Sequence, residues 1–210
     1  MANLEALKNG VIEGNVQQVV EGTKACLDSG MDALDIINKG LVAGMHVVGP
    51  RFKAGEMFVP EVLMSARAMS AGVELVKSVL VDTEIPSEGK ILIGTVKGDL
   101  HDIGKNLVAI MLESSGFEVV NLGVDISPEQ FAAAIKEHKP QVIGLSALLT
   151  TTMLAMKETI DYLQEAGLRN TVKVMIGGAP VSSDFATEIG ADGYAPDGGS
   201  AVDLAKSLLA

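Results

Sequence analysis

The chain has 210 residues, of which 48% are hydrophobic and 3% aromatic, and it carries a net charge of −11. This acidic surface repels phosphate backbones and anionic lipids, which argues against nucleic-acid and membrane partners. The single cysteine, Cys26, excludes an intramolecular disulfide and a multi-cysteine zinc site. The N-terminus lacks a signal-peptide pattern, and the apolar run 142–149 is shorter than the ~20 residues of a membrane span, so we expect a cytoplasmic protein.

The first eighty residues show the periodicity of four amphipathic helices. Asn15 and Asp32 are placed to cap the second and third helices, and Pro60 suits the first turn of the fourth. Short turns between the helices predict an N-terminal four-helix bundle. The apolar seams are Leu4, Leu7 and Val11; Val16, Val19, Thr23 and Cys26; Leu34, Ile37, Leu41, Met45 and Val48; and Val62, Ala66, Met69, Val73, Val76 and Leu80.

A polar segment with proline and glycine, residues 81–89, separates the bundle from the rest of the chain. We therefore predict a helical domain over 1–82, a linker over 83–89 and a second domain over 90–210. Beyond the linker, short β-branched runs alternate with helical patterns, which predicts a flavodoxin-like, five-stranded parallel α/β domain of order 2-1-3-4-5. The predicted strands are 90–96, 118–122, 142–145, 173–176 and 193–195, and the predicted helices are 103–115, 128–138, 152–166, 182–189 and 199–209.

Polar and glycine-rich loops follow the strands, and in a parallel sheet such loops meet at one edge. After the first strand, acids flank His101, with Asp99 two residues before it. A hydroxyl cluster at 146–152 follows the third strand, and glycine-containing loops at 177–180 and 194–199 follow the last two. This pattern predicts a cofactor site at the carboxyl edge of the sheet and leaves the cofactor open.

Four classes of site compete at this edge. Gly94, Gly98 and Gly104 lack the spacing of a dinucleotide loop, and no P-loop is present. A phosphoacceptor receiver needs an aspartate where Ser146 stands and a lysine after the last strand. A hydrolytic metal site needs several ligands, whereas His101 is the only histidine on this edge. The fourth class uses His101 as one axial ligand to a metal already held in a macrocycle, with a nearby carboxylate orienting its other nitrogen.

Three motifs together resemble the cobalamin-binding domain of cobalamin-dependent methionine synthase and of corrinoid methyltransferases. Their order and approximate separations match that family. They are Asp99-x-His101-x-x-Gly104, Ser146-x-Leu148 and Gly177-Gly178.

The N-terminal half also resembles this family, through segments 44–49, 55–60 and 65–69, which are similar to its helical cap. The resemblance thus spans nearly the whole chain. The modules that hold homocysteine, folate and the reactivation partner in the larger relatives have no counterpart in 210 residues. The resemblance therefore implies a stand-alone corrinoid protein.

The resemblance implies a cobalamin bound with its own base displaced and His101 as the lower cobalt ligand. Asp99 would form a hydrogen bond with the distal imidazole nitrogen, and Ser146 would extend this hydrogen-bonded relay. Gly104 would let the backbone pass close to the displaced nucleotide tail, and Phe58 would cover the methyl face of the cobalt. The other implied cofactor contacts are Met57, Val62 or its neighbour Leu63, Asp102, Ile103, Leu148, Thr150, Gly177, Gly178, Tyr194 and Ala195.

By the same resemblance, the protein would carry a methyl group on cobalt between two separate enzymes. The first would be a substrate-specific methyltransferase using methanol, a methylamine, a betaine or a methoxylated aromatic. The second would use tetrahydrofolate or coenzyme M, and a reductive activating protein would repair oxidised cobalt. Two alternatives remain. The first is the cobalamin subunit of a carbon-skeleton mutase, which usually lacks such a cap. The second is a sensor or storage protein, and the lack of a DNA-binding segment argues against the sensor version.

Each candidate residue also has a purely structural interpretation. His101 can be an ordinary helix-start histidine, and Asp102 can be a charge that favours a helix N-terminus. Ser146 can cap a helix, the glycine pair 177–178 can make a tight turn, and Phe58 can be a hydrophobic staple.

Overall fold

The computed structural model describes residues 3–78 and 87–210, which form two compact units. The first holds residues 3–78 with Ser114–Gly116, and the second holds 87–113 and 117–210. Residues 83–86 of the predicted linker lie outside the described residues. Within the described ranges, no helix combines the length and the apolar character that crossing a bilayer requires.

The N-terminal unit is the predicted helical bundle. The Asn15 side chain accepts the backbone N–H of Gln18, and that of Asp32 accepts the N–H of Asp35, so both predicted caps are present. Most residues of the predicted seams in α1, α2 and α5 are buried, and the small residues Gly10, Ser65, Ala68 and Gly72 are buried beside them. Leu80 of the fourth seam lies outside the described residues. The helices are α1 (Leu4–Ile12), α2 (Val16–Asp28), α3 (Ala33–Asp35), α4 (Ala43–Lys53) and α5 (Val59–Lys77).

The third predicted helix is divided by a π-helical segment, Ile36–Val42, between α3 and α4. The stretch carries the predicted seam, since Ile37 and Leu41 are buried. A Cβ on Gly40 would lie 2.7 Å from a methyl of Leu7, so α1 packs directly against this widened turn. A periodicity of three and four residues does not distinguish π from α geometry, so the sequence gives no sign of it.

The second unit contains five parallel strands in the order β2-β1-β3-β4-β5, which confirms the predicted topology. Ten segments alternate along the chain as predicted, with ends shifted by a few residues at most. The strands are β1 (Lys90–Thr95), β2 (Glu118–Asn121), β3 (Val142–Ser146), β4 (Lys173–Gly177) and β5 (Gly193–Tyr194). The helices are α6 (Ile103–Glu113), α7 (Pro128–His138), α8 (Leu154–Glu165), α9 (Ser183–Ile189) and α10 (Gly198–Leu209), with a 3₁₀ turn at Arg169–Thr171.

The central strands are buried on both faces, as expected for a sheet covered by helices on each side. In β1, Ile91 belongs to the apolar cluster around Phe117, whereas Leu92 belongs to the cluster around Phe131. This alternation fixes the register, because a shift by one residue would exchange the two faces.

The register aligns the carboxyl ends of three neighbouring strands. Thr95 of β1 lies opposite Ser146 of β3, and Ser146 lies opposite Gly177 of β4. The loops that follow these residues therefore leave the sheet side by side, which is the edge where the sequence predicts a cofactor site.

Gly94 in β1 should be less tolerant of a side chain than Gly144 in β3. A Cβ on Gly94 would lie 2.8 and 3.0 Å from the buried Phe131 ring, whereas the nearest atoms to a Cβ on Gly144 lie at 3.2 Å and include the mobile end of Met175. We expect Gly94→Ala to lower the free energy of unfolding by about 2 kcal/mol and Gly144→Ala by less than about 1 kcal/mol, measured by urea denaturation. Equal losses would contradict this packing.

Candidate functional site

The loop between β1 and α6 holds a fully buried carboxylate, Asp99. Its Oδ1 accepts the backbone N–H of His101 at 3.0 Å and lies 2.7 Å from Nδ1 of the same residue. Its Oδ2 accepts the backbone N–H of Leu148 at 2.7 Å and the hydroxyl of Thr152 at 2.6 Å, with the N–H of Leu149 at 3.4 Å. One side chain thus binds its own loop and the loop after β3.

These hydrogen bonds determine the charge of Asp99. Burial alone would raise its pKa, but the bonds from Thr152, from the backbone of His101 and Leu148, and from the His101 ring outweigh burial and hold the pKa well below its ordinary value of 3.8. The side chain is therefore an anion at neutral pH.

An anionic Asp99 also fixes the tautomer of His101. A carboxylate can only accept, so Nδ1 carries the hydrogen and the lone pair of the neutral ring stays on Nε2. The His101 side chain is 50% exposed, although its partner is fully buried. The pair therefore offers one oriented nitrogen ligand at the surface of the sheet edge.

Large apolar side chains stand exposed around this pair. Ile103 is 82% exposed and Leu100 is 71% exposed, on either side of His101 in the chain. Exposed leucines from the β3–α8 loop and the start of α8 add to this surface: Leu148, Leu149 and Leu154. A group of exposed apolar side chains beside a buried charge is typical of a binding surface for an apolar ligand.

The hydroxyl on Asp99 comes from Thr152 and not from Ser146, which the resemblance placed in the relay. Thr152 lies in the turn before α8, where its hydroxyl is also 3.0 Å from the Leu149 carbonyl. Ser146 ends β3, and its carbonyl accepts the N–H of Val96. Within residues 3–78 and 87–210, its hydroxyl makes no hydrogen bond to Asp99. The sequence shows the hydroxyl cluster, but choosing among its members requires the geometry of the turn.

The glycines at this edge have two different environments. Gly178 has φ +133°, and a Cβ there would lie 1.8 Å from the carbonyl oxygen of Ala147. A Cβ on Gly177 would lie 2.9 Å from the carbonyl oxygen of Ala195, so the chain's own close packing already requires both glycines. Gly104 differs, because no atom outside its chain neighbours and the backbone of its own helix lies within 4 Å of its Cβ position, which leaves open space beside α6.

The remaining predicted residues of this edge differ in accessibility. Thr150 and Asp102 are exposed, Tyr194 is half-buried and Ala195 is buried. Among the described residues, the Asp102 carboxylate makes no hydrogen bond to Asp99 or to the His101 ring. It accepts the Asn106 side chain at 3.0 Å, which favours its interpretation as a helix N-terminal charge.

Lys105 is a buried cation that the sequence did not single out. Its Nζ donates to side-chain oxygens of Asn106 and Asn121, both at 2.7 Å, and Asn106 in turn donates to Asp102. Burial lowers the pKa of Lys105, and the charge of Asp102 opposes this shift. The network ties the first turn of α6 to the end of β2.

In the helical unit, the predicted contact residues surround the start of α5. Phe58 is 69% exposed, whereas Met57 is buried and Val62 is fully buried. Of the two neighbours Val62 and Leu63, only Leu63 has an exposed side chain. The Phe58 N–H donates to the Glu61 side chain at 2.8 Å, so the backbone at the exposed aromatic ring is fixed by the helix start.

Within the described residues, no group of three or more histidine, cysteine, aspartate or glutamate side chains is arranged to hold a metal ion. The chemistry of the site is therefore that of one imidazole ligand backed by a carboxylate. Such a donor set suits a metal that brings its remaining ligands with it.

Comparison with known families gives two matches. A family model described as a B12 binding domain matches residues 89–203, and a second with the same description matches residues 4–77. The two matches fall in the two compact units.

Curated relatives are similar over nearly the whole chain. A corrinoid protein of Desulfitobacterium hafniense is 45% identical over 100% of this chain and 98% of its own length. A dimethylamine corrinoid protein of Methanosarcina acetivorans is 49% identical over 86% of this chain and 85% of its own.

Two solved structures are also similar to this chain over nearly its whole length. A chain of the methanol:cobalamin methyltransferase complex of Methanosarcina barkeri is 35% identical with a TM-score of 0.89, and the match covers 98% of this chain and 79% of that one. A cobalamin-binding protein of Desulfitobacterium hafniense is 32% identical with a TM-score of 0.83, and the match covers 99% of both chains.

Removing the Thr152 hydroxyl should weaken the fold through Asp99. A hydrogen bond to a charged group contributes ~1.5–3 kcal/mol, so we expect Thr152→Val to lower the free energy of unfolding at pH 7 by about 2 kcal/mol. Ser146→Ala, which removes a hydroxyl from the same edge without touching Asp99, should change it by less than about 0.5 kcal/mol. A larger loss in Ser146→Ala than in Thr152→Val would contradict the observed relay.

The pH dependence supplies a second comparison for the same variant. Because the pKa of Asp99 is depressed by folding, its contribution is complete above the ordinary carboxyl pKa of 3.8 and is lost as the pH falls through the folded-state pKa. The difference in the free energy of unfolding between the wild type and Thr152→Val should therefore become smaller at strongly acidic pH, as measured by urea denaturation.

Proposed function

Because this chain belongs to the corrinoid proteins with B12-binding domains, we propose that it binds cobalamin through His101 and carries a methyl group for separate methyltransferases. Membership in the family confirms the resemblance predicted from the three motifs and from the helical segments. The Asp99–His101 pair is the observation that supports the ligand assignment, since it offers one oriented imidazole nitrogen.

The residues of the edge fit a corrinoid. Leu100, Ile103 and Leu148 offer exposed apolar surface to a broad, flat ring. The open space beside Gly104 gives room for a cofactor segment close to α6. For His101 to serve as the lower ligand, the cofactor's own base must be displaced, and we include that base-off, His-on state in the proposal.

Bound cobalamin supplies a cobalt that can accept and release a methyl group. The protein's residues would hold and orient the imidazole nitrogen that binds this metal. Asp99 holds the hydrogen on Nδ1 and strengthens His101 as a donor at Nε2, while Thr152 and the Leu148 N–H keep the carboxylate in place.

The relatives support a carrier role. They are named as dimethylamine and trimethylamine corrinoid proteins, and a similar chain occurs in a methanol:cobalamin methyltransferase complex. We propose the corresponding partners for this chain: a substrate-specific methyltransferase, a second methyltransferase that uses tetrahydrofolate or coenzyme M, and a reductive activating protein. Phe58 is 69% exposed in the helical unit, and its role at the cofactor stays a prediction from the resemblance.

Ligation by His101 is tested with paramagnetic resonance of Co(II) cobalamin bound to uniformly ¹⁵N-labelled protein. We expect the doublet splitting of one protein nitrogen, lost in His101→Ala and kept in His138→Ala, whose histidine lies at the end of α7. A triplet from the unlabelled base of the cofactor, or a doublet that survives in His101→Ala, would overturn the assignment.

The carrier role is tested by methylation of the cobalamin-loaded, chemically reduced protein. Methanol, methylamines, a betaine and a methoxylated aromatic are each supplied with a purified methyltransferase of matching specificity. Visible spectra should show methylation with one donor class. Methylation by none of them, together with a preference for adenosylcobalamin, would favour the mutase alternative.

A further inference from the structure

Asp125, in the loop between β2 and α7, is joined to the backbone that carries the Asp99–His101 pair. Its Oδ1 accepts the N–H of Gly98 at 2.7 Å, and its own N–H donates to the carbonyl of Asp99 at 3.1 Å. These two bonds bracket the peptide that joins Gly98 to Asp99.

Asp125 makes these hydrogen bonds from a left-handed backbone conformation, which is unfavourable for most residues other than glycine. Asp125 and Lys139 are the two non-glycine residues with positive φ in the described part of the chain, at 56° and 50°. Lys139 is the left-handed cap at the end of α7, where such a conformation is ordinary. Asp125 ends no helix, and its left-handed conformation coincides with its two bonds to the site loop.

The loop of Asp125 is itself fixed to the sheet. Ile126 donates its N–H to the Thr95 carbonyl at 3.0 Å, and the Gly123 carbonyl accepts the Thr95 N–H at 3.0 Å. The hydroxyl of Thr95 then donates to the carbonyl of His101 at 2.9 Å. The backbone of the site loop is therefore held from the β2 side.

The side chain of Asp99 is held from the opposite side, by Leu148 and Thr152 of the β3–α8 loop. The loops that follow β2 and β3, the two strands beside β1, thus hold the main chain and the side chain of Asp99, respectively. We infer that Asp125 is a positioning residue that fixes the Asp99 main chain so that the carboxylate meets Nδ1 of His101 and Nε2 faces the cofactor. This inference rests on the proposed function, since it assigns Nε2 as the ligand atom.

Variants of Asp125 distinguish the contributions of its side-chain hydrogen-bond acceptor, its charge and its strained backbone. Asp125→Asn keeps a side-chain oxygen and tolerates positive φ, but removes the charge. Asp125→Ala removes the acceptor, and Asp125→Gly removes it while relieving the backbone strain. Lys139→Gly is the matched control, because it relaxes the other left-handed residue far along the chain from the site loop.

The first readout uses the cobalamin-free protein. Long-range ¹H–¹⁵N spectra of the His101 ring report which nitrogen carries the hydrogen. We expect a single Nδ1–H tautomer in the wild type, Asp125→Asn and Lys139→Gly, and a mixture of tautomers in Asp125→Ala and Asp125→Gly. Unchanged signals of His46 and His138 show that a variant is folded. A wild-type tautomer in both Asp125→Ala and Asp125→Gly would overturn the inference.

The second readout is the affinity for added cobalamin. Loss of an outer partner of a metal-binding histidine typically weakens binding ~10–100-fold, so we expect the dissociation constant to rise about tenfold in Asp125→Gly and to stay near wild type in Asp125→Asn. If the wild type itself shows no His101 splitting on cobalt, the proposed function fails, while the tautomer spectra still decide the role of Asp125.

Discussion

A buried carboxylate that must be fully hydrogen-bonded is the constraint on which the site depends. Asp99 is out of contact with solvent, and an unpaired charge in that position would be strongly unfavourable. Its donors come from its own loop and from the turn before α8, so satisfying the charge joins the segments that follow β1 and β3. The orientation of the half-exposed His101 is a consequence of that requirement.

The fold supplies this arrangement through the parallel sheet. Thr95, Ser146 and Gly177 end neighbouring strands in register, so polar loops distant in sequence emerge together. Apolar side chains are exposed around the imidazole, and the backbone N–H groups of two of these residues, Leu148 and Leu149, bind Asp99. The result is a rigid polar centre within an apolar surface, which suits a large ring that needs one protein ligand.

The topology and the central pair were predictable because they depend on patterns within short segments. β-branched runs gave the strands, and Asp99 and His101 lie two residues apart in one loop. Thr152, Asp125 and the Lys105 network were not predictable, because each depends on how separate loops approach one another. The π-helical Ile36–Val42 was not predictable for a related reason, since helical periodicity does not fix the winding of a turn. The bundle seam did predict the burial of Val62, and that burial disagrees with the assignment of Val62 as a cofactor contact by resemblance.

The most direct test is a crystal structure of the protein loaded with cobalamin. We expect Nε2 of His101 to coordinate the cobalt, Nδ1 to remain hydrogen-bonded to Oδ1 of Asp99, and the hydroxyl of Thr152 to remain hydrogen-bonded to Oδ2. A cobalt coordinated by the cofactor's own base, with His101 turned away from it, would contradict the account.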